Sequence, residues 1–160
     1  MRDSNTDPLD ALDRTLIGLL RTKPRISGVE LARRAGVARN TVQLRLARLV
    51  ERRVITGYGP DVAGRRAGYQ VLAFVILTIA QGQHGPTVDA LRAIDEVLEI
   101  HTVTGDGDLL LRVVARTNDD LHRIVQRIAS IDQVMRTDTR LSLDTSLNRT
   151  VADLIASTAD

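Results

Sequence analysis

The sequence predicts an α+β protein in two parts: a helical N-terminal part and a C-terminal part of alternating strands and helices in the order βαββαβ. Three observations predict it. Up to about residue 60, apolar residues recur at helical spacing between glycine and proline breaks. From about residue 70, short runs rich in Val, Ile and Leu alternate with helical ones. The charge also reverses: residues 1–60 hold 12 Arg and Lys against 6 Asp and Glu, and residues 61–160 hold 10 against 14.

The first helix starts at Asp7-Pro8, an N-cap acceptor followed by a proline tolerated in the first turn, with Asp10 as the alternative start. Leu9, Leu12, Leu16, Leu19 and Leu20 give its buried side, and Lys23-Pro24 ends it. The second opens on a capping box, Ser27 to Glu30, with Ile26 and Leu31 as a hydrophobic staple. Val29, Ala32 and Ala35 continue its buried side, and Gly36 supplies the left-handed residue that stops it. The third runs from about Arg39 to Arg52 on an apolar stripe of Val42, Leu46 and Leu49. Ile55 to Gly59 reads as a small wing or hinge strand, and Asp61 to Gly68 as a linker.

In the second part, Val71–Ala80 is a strand and Gly82–Pro86 a break. Thr87–Asp95 is a short helix, Val97–Thr104 a strand, Gly105–Asp108 a tight turn and Leu109–Ala115 the returning strand. A helix capped by Asn118 buries Leu121, Ile124, Val125 and Ile128, and Val134–Leu143 is the last strand. This order is the ferredoxin-like, split βαβ unit. Thr150–Ala156 reads as a short terminal helix that packs on its own subunit or on a neighbour. The domain scheme is therefore 1–60, a hinge at 61–69, a second domain at 70–144 and a tail at 145–160.

The first strand is apolar on both faces: Val71, Ala73, Val75, Leu77 and Ile79 point one way, Leu72, Phe74 and Ile76 the other. Two helices cover only one face of such a sheet. The other is too apolar to stand in water, so a second copy of the chain is expected to cover it.

A helix, a tight glycine turn and a following helix with polar and basic groups at its start suit the major groove of double-stranded DNA. Arg39, Asn40, Thr41 and Gln43 lie near the start of the third helix, and Arg45, Arg48 and Arg52 follow along its flank. The first group is expected to reach base edges and the second to meet phosphates. The bland alternative is a three-helix bundle with a solvated basic face.

No enzymatic constellation stands out. The chain has no cysteine, which excludes disulfides and thiolate metal sites, and His84, His101 and His122 show no metal-ligand spacing. No Walker-type phosphate loop is present. Asp106 and Asp108 sit too close together on one turn for a paired-carboxylate hydrolase and lack further cation ligands. No cofactor is expected. The polar N-terminus does not read as a signal peptide, and the run Val71–Ala80 is too short to span a bilayer, so a cytoplasmic, nucleoid-associated protein is expected.

The residues resemble the Lrp/AsnC, or feast/famine, family of transcriptional regulators. The resemblance rests on Leu9 through Leu20, on Arg25-Ile26-Ser27 through Leu49 with Ile55-Thr56-Gly57-Tyr58, and on Val103 through Asp108 with Leu110, Arg112 and Val113. Val134 through Thr139 resembles that family's last strand. It implies a DNA-binding regulator that forms homodimers and often tetramers or octamers. Its C-terminal domain, known as the RAM domain, takes an amino acid-like effector. Carried over by resemblance, the effector residues are Thr104, Gly105, Asp106 and Asp108 on the turn, with Thr137 and Thr139 on the last strand. Three positions depart from the pattern. Ala38 stands where Ser or Thr usually caps the third helix, Arg53 where glycine is common, and Gly107 where a bulky residue is usual; the last is expected to open the effector turn. Two other functions are compatible with the plan: an architectural protein that wraps DNA without an effector, and, on the same fold, a tetrapyrrole decarboxylase-like enzyme.

Overall fold

The computed structural model describes residues 9–157, which form ten elements in two compact units. The N-terminal unit takes residues up to Asp61 together with the segment from Leu147 onward; the second unit spans Val62–Ser146.

The N-terminal unit holds α1 (Ala11–Thr22), α2 (Gly28–Ala35), α3 (Arg39–Glu51) and, from the far end of the chain, α6 (Val151–Ser157). Asp10 and Asp13 cap α1 reciprocally: the Asp13 N–H donates to Asp10 Oδ1 at 2.8 Å and the Asp10 N–H to Asp13 Oδ2 at 3.4 Å. The helix thus uses the later of the two expected starts; Asp7 and Pro8 lie outside the described residues. In α2 the capping box is half formed. Ser27 accepts from the Glu30 N–H, but the Glu30 carboxylate turns to Arg33 and Arg34 instead of back to the cap. Gly36 ends α2 at φ 67°. Leu16, Leu31, Ala32 and Val42 make the core of this unit, with Leu12, Leu19, Leu20, Ile26 and Leu46 packed against it. Val29, expected inside, is 62% exposed.

The wing strand expected over Ile55 to Gly59 does not form within the chain. A strand needs a neighbour for its backbone N–H and C=O groups, and among the described residues of this unit no strand is there to pair with it. The terminal helix α6 packs against α1 of its own chain. Gly18 faces Ala156 across this contact, where an added Cβ would stand at an ordinary van der Waals distance of 3.5 Å. Arg21 of α1 bridges Asp153 of α6 (Nε to Oδ1 2.6 Å) and Asp61. Asp153 also accepts from the Thr150 N–H at 2.8 Å, which caps α6.

The second unit holds β1 (Val71–Ile79), α4 (His84–Arg92), β2 (Val97–Thr102), β3 (Leu109–Ala115), α5 (Asn118–Ala129) and β4 (Val134–Ser142). The four strands form one antiparallel sheet in the order β2-β3-β1-β4, the order the βαββαβ reading requires. Several boundaries differ from the expectation, three of them with a clear consequence or cause. Helix α4 begins at His84, because Pro86 falls in its first turn, where a missing N–H does no harm. Strand β2 stops at Thr102, which lengthens the connection to β3. The cap of α5 is Thr117, paired with Asp120 in a capping box.

Val75 and Leu77 of β1, Leu109, Leu111 and Val113 of β3, Leu91 of α4 and Ile124 and Ile128 of α5 form one buried cluster. Both helices therefore cover the same face of the sheet. On the opposite face stand Leu72, Phe74 and Ile76 of β1, in register with Val114, Arg112 and Leu110 of β3.

Candidate nucleic-acid interface

The geometry of α3 follows from what holds it. Val42 and Leu49 are buried, and Leu46 packs partly against the core of the unit. Arg45, on the same side of the helix, forms ion pairs with Asp10 and, at 3.4 Å, with Asp13 of α1. Asp13 is only 5% exposed, so its carboxylate needs such partners. The hydrogen bond to Asp10 raises the Arg45 pKa, while the backbone N–H of Asp13, with help from Arg45, holds Asp10 below its ordinary value. These contacts fix the rotation of α3 about its own axis.

The face that remains outward carries Arg39, Asn40, Gln43, Leu44, Ala47 and Arg48, all exposed. Thr41 and Arg52 are half-buried at its margins. Of the seven residues read from the sequence as DNA contacts, Arg39, Asn40, Gln43 and Arg48 share this face. Arg45 differs: its guanidinium ties α3 to α1, because the acidic cap of α1 lies within reach of it. Sequence reading passed over Leu44, which lies off the Val42–Leu46–Leu49 stripe and is 73% exposed. That offset is itself a sequence signal. Ala38 caps α3 without a side-chain hydrogen bond, as its identity requires.

The turn between β2 and β3 is built differently from the expectation. Thr104, Gly105 and Asp106 are exposed, and Gly105 takes φ 109°. Asp108 works structurally. Its N–H donates to the Leu77 carbonyl at 2.8 Å, and its carboxylate accepts from the Ile79 N–H at 2.8 Å, where the β1–β4 register shifts. Gly107 does not open a pocket. A Cβ there would lie 2.3 Å from Ile76 Cγ2 and 3.2 Å from the Leu77 carbonyl, so Ile76 already fills that space. Thr137 and Thr139 on β4 are in register with Leu77 and Val75, which puts them on the helix-covered side of the sheet. Asp108 and Thr137 both flank Leu77, whereas a cavity of about 480 Å³ lies elsewhere in the unit, against α4 and β2.

His84 Nε2 lies 2.8 Å from Thr102 Oγ1, and His101 Nε2 lies 3.1 Å from Glu99, which also pairs with Arg112. His122 stands exposed on α5. Among the described residues, no three His, Cys, Asp or Glu side chains come together as metal ligands, and no helix is long and apolar enough to cross a membrane.

Residues 9–50 match the AsnC-type helix-turn-helix domain and residues 72–152 the Lrp/AsnC ligand binding domain. The chain belongs to the Lrp/AsnC family. The regulatory protein AsnC of Escherichia coli K12 is 30% identical over 145 residues, which cover 89% of this chain and 95% of that protein. The HTH-type transcriptional regulator FL11 of Pyrococcus furiosus is 27% identical, with 84% and 89% covered. The structure of E. coli AsnC superposes with a TM-score of 0.85 at 28% identity, covering 91% of this chain and 99% of that one. A feast or famine regulatory protein from Mycobacterium tuberculosis, solved in complex with L-methionine, superposes with a TM-score of 0.80 at 32% identity, covering 88% and 96%. As an Lrp/AsnC member, the chain is a DNA-binding transcriptional regulator, and α3 closes the stretch that matches the helix-turn-helix domain.

Proposed function

We propose that this regulator reads specific sequences by laying α3 in the major groove of double-stranded DNA. The reading is carried by one observation: Arg39, Asn40, Gln43 and Arg48 share the outward face of a helix whose other side is clamped to its own unit. Asn and Gln offer paired hydrogen bonds to adenine and arginine to guanine, while arginines at the margin meet phosphates. Arg45 acts as the positioning residue, and Thr41 and Arg52 flank the contact.

A homodimer closed through the open sheet face would present two copies of α3 to paired half-sites, and higher assemblies would build on it. The domain scheme that fits is a DNA-binding part up to residue 60, a hinge at 61–69 and an oligomerisation and effector part at 70–144, with the tail from 145 returning its helix to the first part. Methionine in the M. tuberculosis relative supports a small amino acid as effector here. The exposed amides and side chains of Thr104, Gly105 and Asp106 suit its carboxylate and ammonium groups. Asp108 shapes their turn, and Thr137 and Thr139 lie one strand beyond it. The protein works in the cytoplasm, on the nucleoid, and is not an enzyme.

Salt titration of duplex binding tests the core of this reading. Each phosphate contact contributes about −0.9 to the slope of log K against log salt. Arg48→Ala is expected to weaken binding to every duplex and flatten the slope by about that amount, whereas Asn40→Ala or Gln43→Ala relaxes base preference at an unchanged slope. An unchanged slope for Arg48→Ala would contradict the phosphate assignment. Footprinting separates a local regulator, with a short paired-half-site footprint, from an architectural protein, with a long periodic one. A thermal-shift screen with each amino acid tests the effector, since a ligand of the folded state raises Tm by mass action.

A further inference from the structure

We infer that Leu44, with Ala47 one turn on, reads the C5-methyl groups of thymines, so that part of this regulator's specificity is apolar. The inference rests on α3 entering the major groove.

Leu44 is 73% exposed on a helix whose rotation is fixed. Val42 and Leu49 are buried behind it, and the neighbouring Arg45 is pinned to Asp10 and Asp13. Leu44 therefore cannot turn inward without breaking both sets of contacts. Around it, Asn40 stands one turn before, Gln43 beside it and Ala47 after it, all exposed. The apolar centre is flanked by Arg39 and Arg48, and no acid occurs between Glu30 and Glu51.

This combination selects one occupant. An apolar protein partner would match the leucine but not the flanking cations. A phosphate surface alone would match the cations but leave the leucine in water. The major groove offers both, because phosphates line its rims and thymine methyls project from its floor, where apolar side chains meet them. Asn40 and Gln43 would bond adenine edges, whose paired thymines place methyls within the same groove. The geometry thus favours A·T steps beneath the middle of α3.

The test uses the full chain and a duplex selected by it from a randomised pool. Each thymine is replaced in turn by deoxyuridine, which removes only the methyl. A buried methyl-sized group is worth about 0.8 kcal/mol, or about fourfold in affinity. The expected result is a loss of about that size at one or two thymines per half-site with the wild-type chain. With Leu44→Ala the loss should vanish at the thymine beneath Leu44 and persist only at one beneath Ala47, while the salt slope is unchanged. Leu44→Gln serves as a second variant, and neither touches the core. A selected site without thymine beneath the helix overturns the proposal. So does a wild-type chain indifferent to every replacement, or an equal deoxyuridine loss in the variants. A change in oligomeric state on substituting Leu44 would assign the residue to a protein contact instead. If the wild-type chain binds no duplex in a salt-dependent way, α3 docking itself fails; if it binds but ignores the methyls, only the role of Leu44 fails.

Discussion

At Gly107 the decisive fact is a distance. A single added carbon would stand 2.3 Å from Ile76 Cγ2 and 3.2 Å from the Leu77 carbonyl. The Ile76 methyl sits on a β-branched Cβ and moves only with χ1, which has few alternatives in a strand. The carbonyl is also fixed, because it accepts from the Asp108 N–H. Gly107→Ala is therefore expected to destabilise the second unit by about 1–3 kcal/mol, the range for an overpacked site. Adding Ile76→Ala should recover part of that loss, and chemical denaturation of the single and double variants measures the coupling. Full additivity would show that the two positions do not compete for space. The same logic explains Arg45. A basic residue on the flank of α3 is indistinguishable in sequence from its neighbours, but it stands opposite the α1 cap, so it is spent on the fold.

Among the helices, α2 carries a pH dependence with a definite window. Its Glu30 accepts from Arg33 (2.7 Å) and from Arg34 (2.6 Å), which moves the carboxyl pKa from 4.5 down to about 2. The folded value lies below the unfolded one, so the stabilisation is complete above about pH 4.5 and fades as pH falls toward about 2. Asp10, Asp120 and Asp153 shift in the same direction at other helix starts. Urea midpoints should fall with acidification across this window, and Glu30→Gln should flatten the fall. An equally steep fall in the variant would assign the acid sensitivity to other carboxylates. Since these four carboxylates are half-buried or exposed groups in first helical turns or caps, the effect belongs to helix ends and leaves the aliphatic cores untouched.

How much of these elements was legible follows from what each depends on. Strand β3 and the core face of α5 were readable because burial writes periodicity directly into the sequence. The αL stop at Gly36 was readable because few residues but glycine take positive φ. Partner choice was not. Glu30 had the cap and two arginines within reach, and only geometry shows that the arginines take it. The wing strand failed for a similar reason, since β-type residues at 55–59 form a strand only where another strand supplies hydrogen bonds. In the candidate site, the polar face of α3 was legible, whereas the anchoring role of Arg45 and the outward position of Leu44 required knowing what α3 packs against.

At the scale of the whole molecule, the open face of the sheet decides what the functional unit is. Leu72, Phe74, Ile76, Leu110 and Val114 stand on it together, away from the helices. Two charged pairs on it form within the chain, Arg112 with Glu99 at 2.7 Å and Arg140 with Asp138 at 3.3 Å, and Arg136, in register with Thr78, stands on the same face. Such an apolar face, with most of its charges already paired, can meet a copy of itself across a two-fold axis that matches the patch to its own equivalent. Phe74, in register with Arg140 on β4, is a sharp place to test it. Phe74→Asp leaves the helix-covered core intact and sets a carboxylate beside Arg140, so the monomer should fold. In a closed dimer the same carboxylate would lose its water, which should weaken association by at least about a hundredfold. Sedimentation velocity should then show the wild-type chain as a dimer or larger and the variant as a monomer. Affinity for a duplex with two half-sites should drop, while affinity for one half-site stays the same, because α3 is unchanged. A variant that remains dimeric would place the interface on another surface.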